Sequence, residues 1–136
     1  MALAWPNHVH HTRARRWFED NHRQGWATCP LTESGFVRVS SNRKVTPEAR
    51  RPEEAIRLLR ELTALPGHVF WTDDTSIARS RWIAAERLLG SGQVTDAHLA
   101  ALCLRRRGRL LTFDRGVAEV LPPGVVAAEA LLVLRG

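Results

Sequence analysis

The stretch Val94-Thr95-Asp96-Ala97-His98-Leu99-Ala100-Ala101-Leu102-Cys103-Leu104-Arg105-Arg106-Arg107-Gly108-Arg109-Leu110-Leu111-Thr112-Phe113-Asp114 decides the fold. From Ala97 to Leu104 it is apolar on more than one face, the mark of a helix buried in a core rather than laid on a surface. Thr95 is a cap at its start, and Gly108 ends it after three arginines, where cations offset the helix dipole. Arg109 to Phe113 then reads as a short buried strand, with Asp114-Arg115-Gly116 as its exit turn. A buried helix passing into a buried strand with no hairpin turn is the repeating unit of a parallel sheet covered by helices.

Working outward, the same alternation recurs. An amphipathic helix is expected from His8 to about His22, carrying Val9, Ala14, Trp17 and Phe18 near helical spacing. Trp26 to Cys29 is a short strand bounded by Gly25 and Pro30, and Pro30 opens a helix over Leu31 to Ser41. Asn42 to Arg51 is a polar connection. Pro52 to Leu65 is a helix with Glu53 and Glu54 in its first turn, stopped by Pro66-Gly67. His68 to Trp71 is a second strand. Thr72-Asp73-Asp74-Thr75 is turn and cap chemistry leading into a helical stretch near Ile77 to Leu88. After one or two helical turns over Val117 to Val120, Val125-Val126-Ala127 follows Pro122-Pro123-Gly124 as a fourth strand, and Glu129 to Leu134 is open between helix and strand. The expected fold is α/β, a three-layer sandwich with a central parallel sheet, built as a single domain over residues 1–136.

The 136 residues suffice for one core, and 44% hydrophobic with 25% charged residues is the composition of a globular chain, not a disordered or fibrous one. Twenty basic residues against 14 acids give a net charge of +6, and Lys44 is the only lysine. That balance favours polyanionic or acidic partners, although a GC-rich genome also enriches arginine. Cys29 and Cys103 are too few for a disulfide scaffold and lack metal-site spacing, so they read as buried free thiols of a cytoplasmic protein. No apolar run reaches the ~20 residues of a membrane span.

In parallel α/β sheets reactive groups collect where strands end and helices begin. Asp114 follows a strand, Asp96 opens the buried helix, and Glu33 lies in the first turn of the helix after the first strand. Carboxylates held together repel one another unless a cation neutralises them, and hard oxygen ligands suit Mg²⁺ or Mn²⁺. Each acid also has a plainer reading: a cap for Asp96, a dipole partner for Glu33, a turn former for Asp114. Arg105-Arg106-Arg107 balances a helix end or meets RNA phosphates. The histidines His8, His10 and His11 lack a matching acid set, Asp73 and Asp74 fit turn chemistry, and the five tryptophans suit packing more than base stacking.

Three blocks carry a resemblance. Cys29-Pro30-Leu31-Thr32-Glu33-Ser34-Gly35-Phe36-Val37-Arg38, Val94 to Leu102, and Leu111-Thr112-Phe113-Asp114-Arg115-Gly116 look like the downstream blocks of VapC-type PIN domains, and the segment from Ala2 to Phe18 is similar to that group's first helix. The resemblance implies a Mg²⁺-dependent (or Mn²⁺-dependent) endoribonuclease, the toxin half of a toxin–antitoxin pair, restrained by a VapB-like antitoxin and homodimeric. Glu33, Asp96 and Asp114 match the second, third and fourth acids of the family's metal site, and Thr112 its hydroxyl two residues before the last acid. Arg38 and Arg115, inside two of the blocks, are the matching candidates for contact with RNA.

The family's first acid, at the end of an opening strand, does not map, because it precedes the segment matching Met1 to Ala4. The resemblance therefore implies a chain without the family's first strand, with Met1 an internal residue of a longer reading frame. The alternative is a catalytically impaired PIN module that binds antitoxin or RNA without cleavage. A phosphoesterase acting on another substrate is the third reading.

Overall fold

Short strands of the β-forming residues alternate with helices along the chain. A computed structural model describes residues 11–44 and 48–134. Trp5 and the side chains of the cluster His8, His10 and His11 lie outside the described residues, as does the start expected for the first helix. The chain forms two compact units, one reaching to Asp73 and the other starting at Asp74.

In the first unit, helix α1 (His11–Asn21) runs through one 3-10 turn into strand β1 (Trp26–Thr28). Helix α2 (Pro30–Ser40) follows at once, because Pro30 fits the first helical position and the Cys29 N–H, just outside it, donates to Thr32 Oγ1 at 2.9 Å. Helix α3 (Pro52–Thr63) packs against α2, and strand β2 (His68–Phe70) pairs with β1 in parallel, Trp26 opposite His68 and Thr28 opposite Phe70. The backbone bonds Trp26 N–H to Gly67 O (3.0 Å) and Trp71 N–H to Thr28 O (2.8 Å) extend that ladder at both ends. Phe18, Trp26 and His68 meet edge to face in sequence, ring centres 5.0 and 4.6 Å apart, and tie the end of α1 to the sheet. Gly67 has φ +90°, and a Cβ there would stand 2.0 Å from the carbonyl oxygen of His22, so this turn admits glycine alone.

In the second unit, helix α4 (Val94–Arg105) is the core element. Ala97, Ala100, Ala101, Leu102 and Cys103 are all buried, on more than one face of the helix, as its composition required. Val117, Val120, Leu121, Ala130 and Leu131 complete the cluster around Ala97 and Ala100. Strand β3 (Leu110–Thr112) packs on α4 and pairs in parallel with strand β4 (Leu131–Val133), Thr112 opposite Val133. Both cysteines are free and buried. No described helix is long and apolar enough to cross a membrane.

The α/β class and the parallel pairing are present, as two strand pairs, one in each unit. Three local expectations change. The fourth strand is not Val125 to Ala127: Ala127–Ala130 forms a single helical turn, helix α5, and the ladder passes to Leu131–Val133. Alanine favours helix, Val126 is 56% exposed, and Leu131 is buried against the core, so the strand forms where its side chains leave water. The helix expected near Ile77 to Leu88 is a series of turns with one 3-10 turn at Ala85–Arg87. The hydroxyl of Ser80 accepts the Trp82 N–H at 3.1 Å and draws the backbone away from a continuing helix. Thr95 does not cap α4: a 3-10 turn at Ser91–Gln93 runs straight into Val94, which is already helical, and Thr95 lies inside the first turn.

Candidate metal centre

The first turn of α4 carries Asp96, and the chain leaving β3 carries Asp114. Helix start and strand exit belong to the same small core, so the two carboxylates face each other's field. Burial raises the Asp96 carboxyl above its ordinary range, and the negative charge of Asp114 raises it further. A partly buried carboxylate beside a second acid favours a cation at that place.

Asp114 is oriented by its own turn. Its Oδ1 accepts the Gly116 N–H at 2.8 Å, and its N–H donates to Thr112 Oγ1 at 3.0 Å. The Thr112 hydroxyl, having accepted that bond, keeps its own proton to donate. The second oxygen of Asp114 accepts no hydrogen bond among the described residues and remains available as a ligand.

Glu33 belongs to the first unit and sits in the first turn of α2. Its Oε2 lies 2.5 Å from Thr28 Oγ1, and the same hydroxyl lies 2.8 Å from His68 Nε2. A hydroxyl has one proton, and the carboxylate can only accept it, so His68 donates from Nε2 to Thr28 and Thr28 donates to Glu33. This chain fixes the Glu33 side chain from β1 and β2. Sequence reading missed Thr28 and His68; the signal was the period-2 alternation that puts Trp26 and Thr28 on the face of β1 that His68 adjoins.

Of the expected acids, the structure brings Asp96 and Asp114 into one electrostatic site. No group of three or more His, Cys, Asp or Glu side chains able to hold a metal occurs among the described residues. The pair nevertheless fits a hard divalent ion, since Mg²⁺ takes one or two carboxylates, completes its shell with water and substrate phosphate, and would relieve the repulsion that raises Asp96. Arg115 is exposed beside Asp114, and Arg38 is exposed in the last turn of α2. Asp74, read as turn chemistry, binds Arg105 at 2.6 Å, and that hydrogen bond holds its carboxyl below the usual range.

A family model for the PIN domain matches residues 2–121, and the chain belongs to the PIN domain family. Within that family it groups with proteins named ribonuclease VapC. It is similar to Ribonuclease VapC39 of Mycobacterium tuberculosis H37Rv, 45% identical over 126 residues that make up 93% of this chain and 91% of that protein. To Ribonuclease VapC38 of the same strain it is 52% identical over 117 residues, 86% of this chain and 81% of the relative. To Ribonuclease VapC44 it is 41% identical over 124 residues, 91% and 87% respectively.

Proposed function

We propose that the protein is a divalent-metal-dependent endoribonuclease, the toxin of a toxin–antitoxin pair, and that Asp96 and Asp114 hold a Mg²⁺ or Mn²⁺ ion. The single observation that carries this reading is the placement of Asp96, at the start of α4, within the field of Asp114, at the exit of β3, where burial and that neighbouring charge raise the Asp96 carboxyl. The ribonuclease names of its relatives support the substrate class. Glu33 is assigned to the same ion by its sequence block alone, as the family's second acid.

Bound between carboxylates, such an ion supplies charge neutralisation and Lewis acidity toward a phosphodiester. The chain's own groups do the positioning. Gly116 N–H fixes one oxygen of Asp114 and leaves the other to the ligand. Thr112, held by the Asp114 N–H, offers its hydroxyl proton to a water or a phosphate oxygen. His68 and Thr28 lock the rotamer of Glu33. Arg115 and Arg38 are assigned to the RNA backbone. The same reading takes both units as one PIN-type domain, working in the cytoplasm, homodimeric, and restrained by a VapB-like antitoxin.

The test is incubation of the full chain with a structured RNA in Mg²⁺ and in EDTA, beside Asp96→Asn. Cleavage that requires the metal and falls by roughly 100-fold or more in the variant supports the assignment. Tight RNA binding with no metal-dependent cleavage replaces it with a binding module.

A further inference from the structure

The C-terminal end of α4 forms one wall of an open concavity of about 830 Å³ that lies wholly within the second unit. Four arginines, Arg79, Arg81, Arg105 and Arg107, line it against one acid, Asp74. Asp74 is engaged by Arg105 at 2.6 Å. Arg79 and Arg107 have no carboxylate partner among the described residues. The Arg81 guanidinium carbon lies over the Trp82 ring, 4.5 Å from its centre, a cation–π contact that holds the side chain at the recess. The excess positive charge is therefore concentrated in a recess, where low-dielectric walls focus the field.

We propose that this concavity anchors the phosphodiester backbone of single-stranded RNA, at a distance from the phosphate being cut. Guanidinium forks match phosphate oxygens in pairs, and Arg79 and Arg107 supply two such forks unspent on protein carboxylates. Arg81 and Trp82 add to the recess the planar side chains on which a nucleobase stacks, a contact that an acidic peptide does not use. Asp96 and Arg105 are nine residues apart on α4, which sets them ~14 Å apart along the helix axis. At ~3.4 Å per nucleotide of a stacked strand, the anchored phosphate falls about four nucleotides from the metal pair. That spacing rests on the reading of Asp96 and Asp114 as the cutting site, whereas the anchoring itself does not.

The test is fluorescence anisotropy of the full chain with a labelled single-stranded RNA of about twelve nucleotides in EDTA, titrated across salt concentration. The Arg79→Ala/Arg107→Ala variant is expected to bind roughly tenfold more weakly, with a salt slope shallower by about 1.4 for two lost phosphate contacts. Arg79→Lys/Arg107→Lys, which keeps the charge, recovers most of the slope, and thermal melts of both variants check the fold. An unchanged salt slope in the folded alanine variant overturns the proposal. So does a loss confined to binding of a poly-glutamate peptide, with RNA affinity intact, which assigns the recess to an acidic protein instead. Binding is read in EDTA, where metal-dependent cleavage does not occur, so failure of the nuclease reading and failure of the anchor are read separately.

Discussion

Thr28 Oγ1 stands 2.5 Å from Glu33 Oε2 and passes to it the hydrogen bond that it receives from His68. A side chain on β1 thus sets the rotamer of an acid on α2. Thr28→Val keeps the shape and removes the relay. The expected result is an apparent Mg²⁺ requirement for cleavage raised about tenfold, with Thr28→Ser restoring it, read by metal titration of the rate. Equal metal dependence in wild type and valine variant removes Glu33 from the metal site.

Asp96 makes a prediction with a definite sign. Its folded-state carboxyl holds a proton more tightly than the unfolded one. Its favourable contribution is therefore complete below the ordinary Asp value near 3.8 and is lost as pH rises through the higher folded value. In EDTA, Asp96→Asn should flatten that decline and melt slightly above the wild type at neutral pH, the gain being small because the group is partly solvated. Added Mg²⁺ should raise the wild-type melting temperature at pH 7 and leave the variant unmoved. Melts between pH 3 and 7, with and without metal, decide it.

Gly67→Ala places a methyl group against the His22 carbonyl oxygen in a backbone with φ +90°. The chain must shift where α1 ends and β2 begins, at a cost of roughly 2–4 kcal/mol in urea unfolding. A loss under 0.5 kcal/mol would show that the turn relaxes freely.

Arg107 occupies the left-handed region at φ +59°, while the Gly108 N–H closes α4 on the Cys103 carbonyl at 2.8 Å. Arg107→Gly should stabilise the protein by about 1 kcal/mol, since glycine meets no Cβ clash there. RNA affinity should fall in the same variant. Stability and binding moving in opposite directions would identify Arg107 as a residue kept for its charge.

Much of this was legible from residue order. Ala97 to Leu104 could only be a buried helix, and the positions of Asp96 at a helix start and Asp114 at a strand exit follow from the same pattern. The stop at Gly108 was legible too, but its geometry was not, because the strained position falls on Arg107. Val125 to Ala127 has the composition of a strand; which apolar run pairs with β3 depends on what the core covers, and periodicity carries no record of that. The Ser80 bond to Trp82 escaped for a related reason, since a serine within an otherwise helical run diverts the chain only when the following N–H is within reach. The Asp74 and Arg105 pair joins positions 31 residues apart, and no local pattern announces it.

That serine hydroxyl has a wider consequence. Had residues 76–88 coiled into a regular helix, their arginines would have been distributed around a cylinder and dispersed into solvent. As a series of turns, the segment instead places Arg79 and Arg81 along the same concavity. Ser80→Ala deletes the one side-chain atom that holds the Trp82 N–H in this turn, so the spacing of the two guanidinium groups depends on a residue that carries no charge of its own.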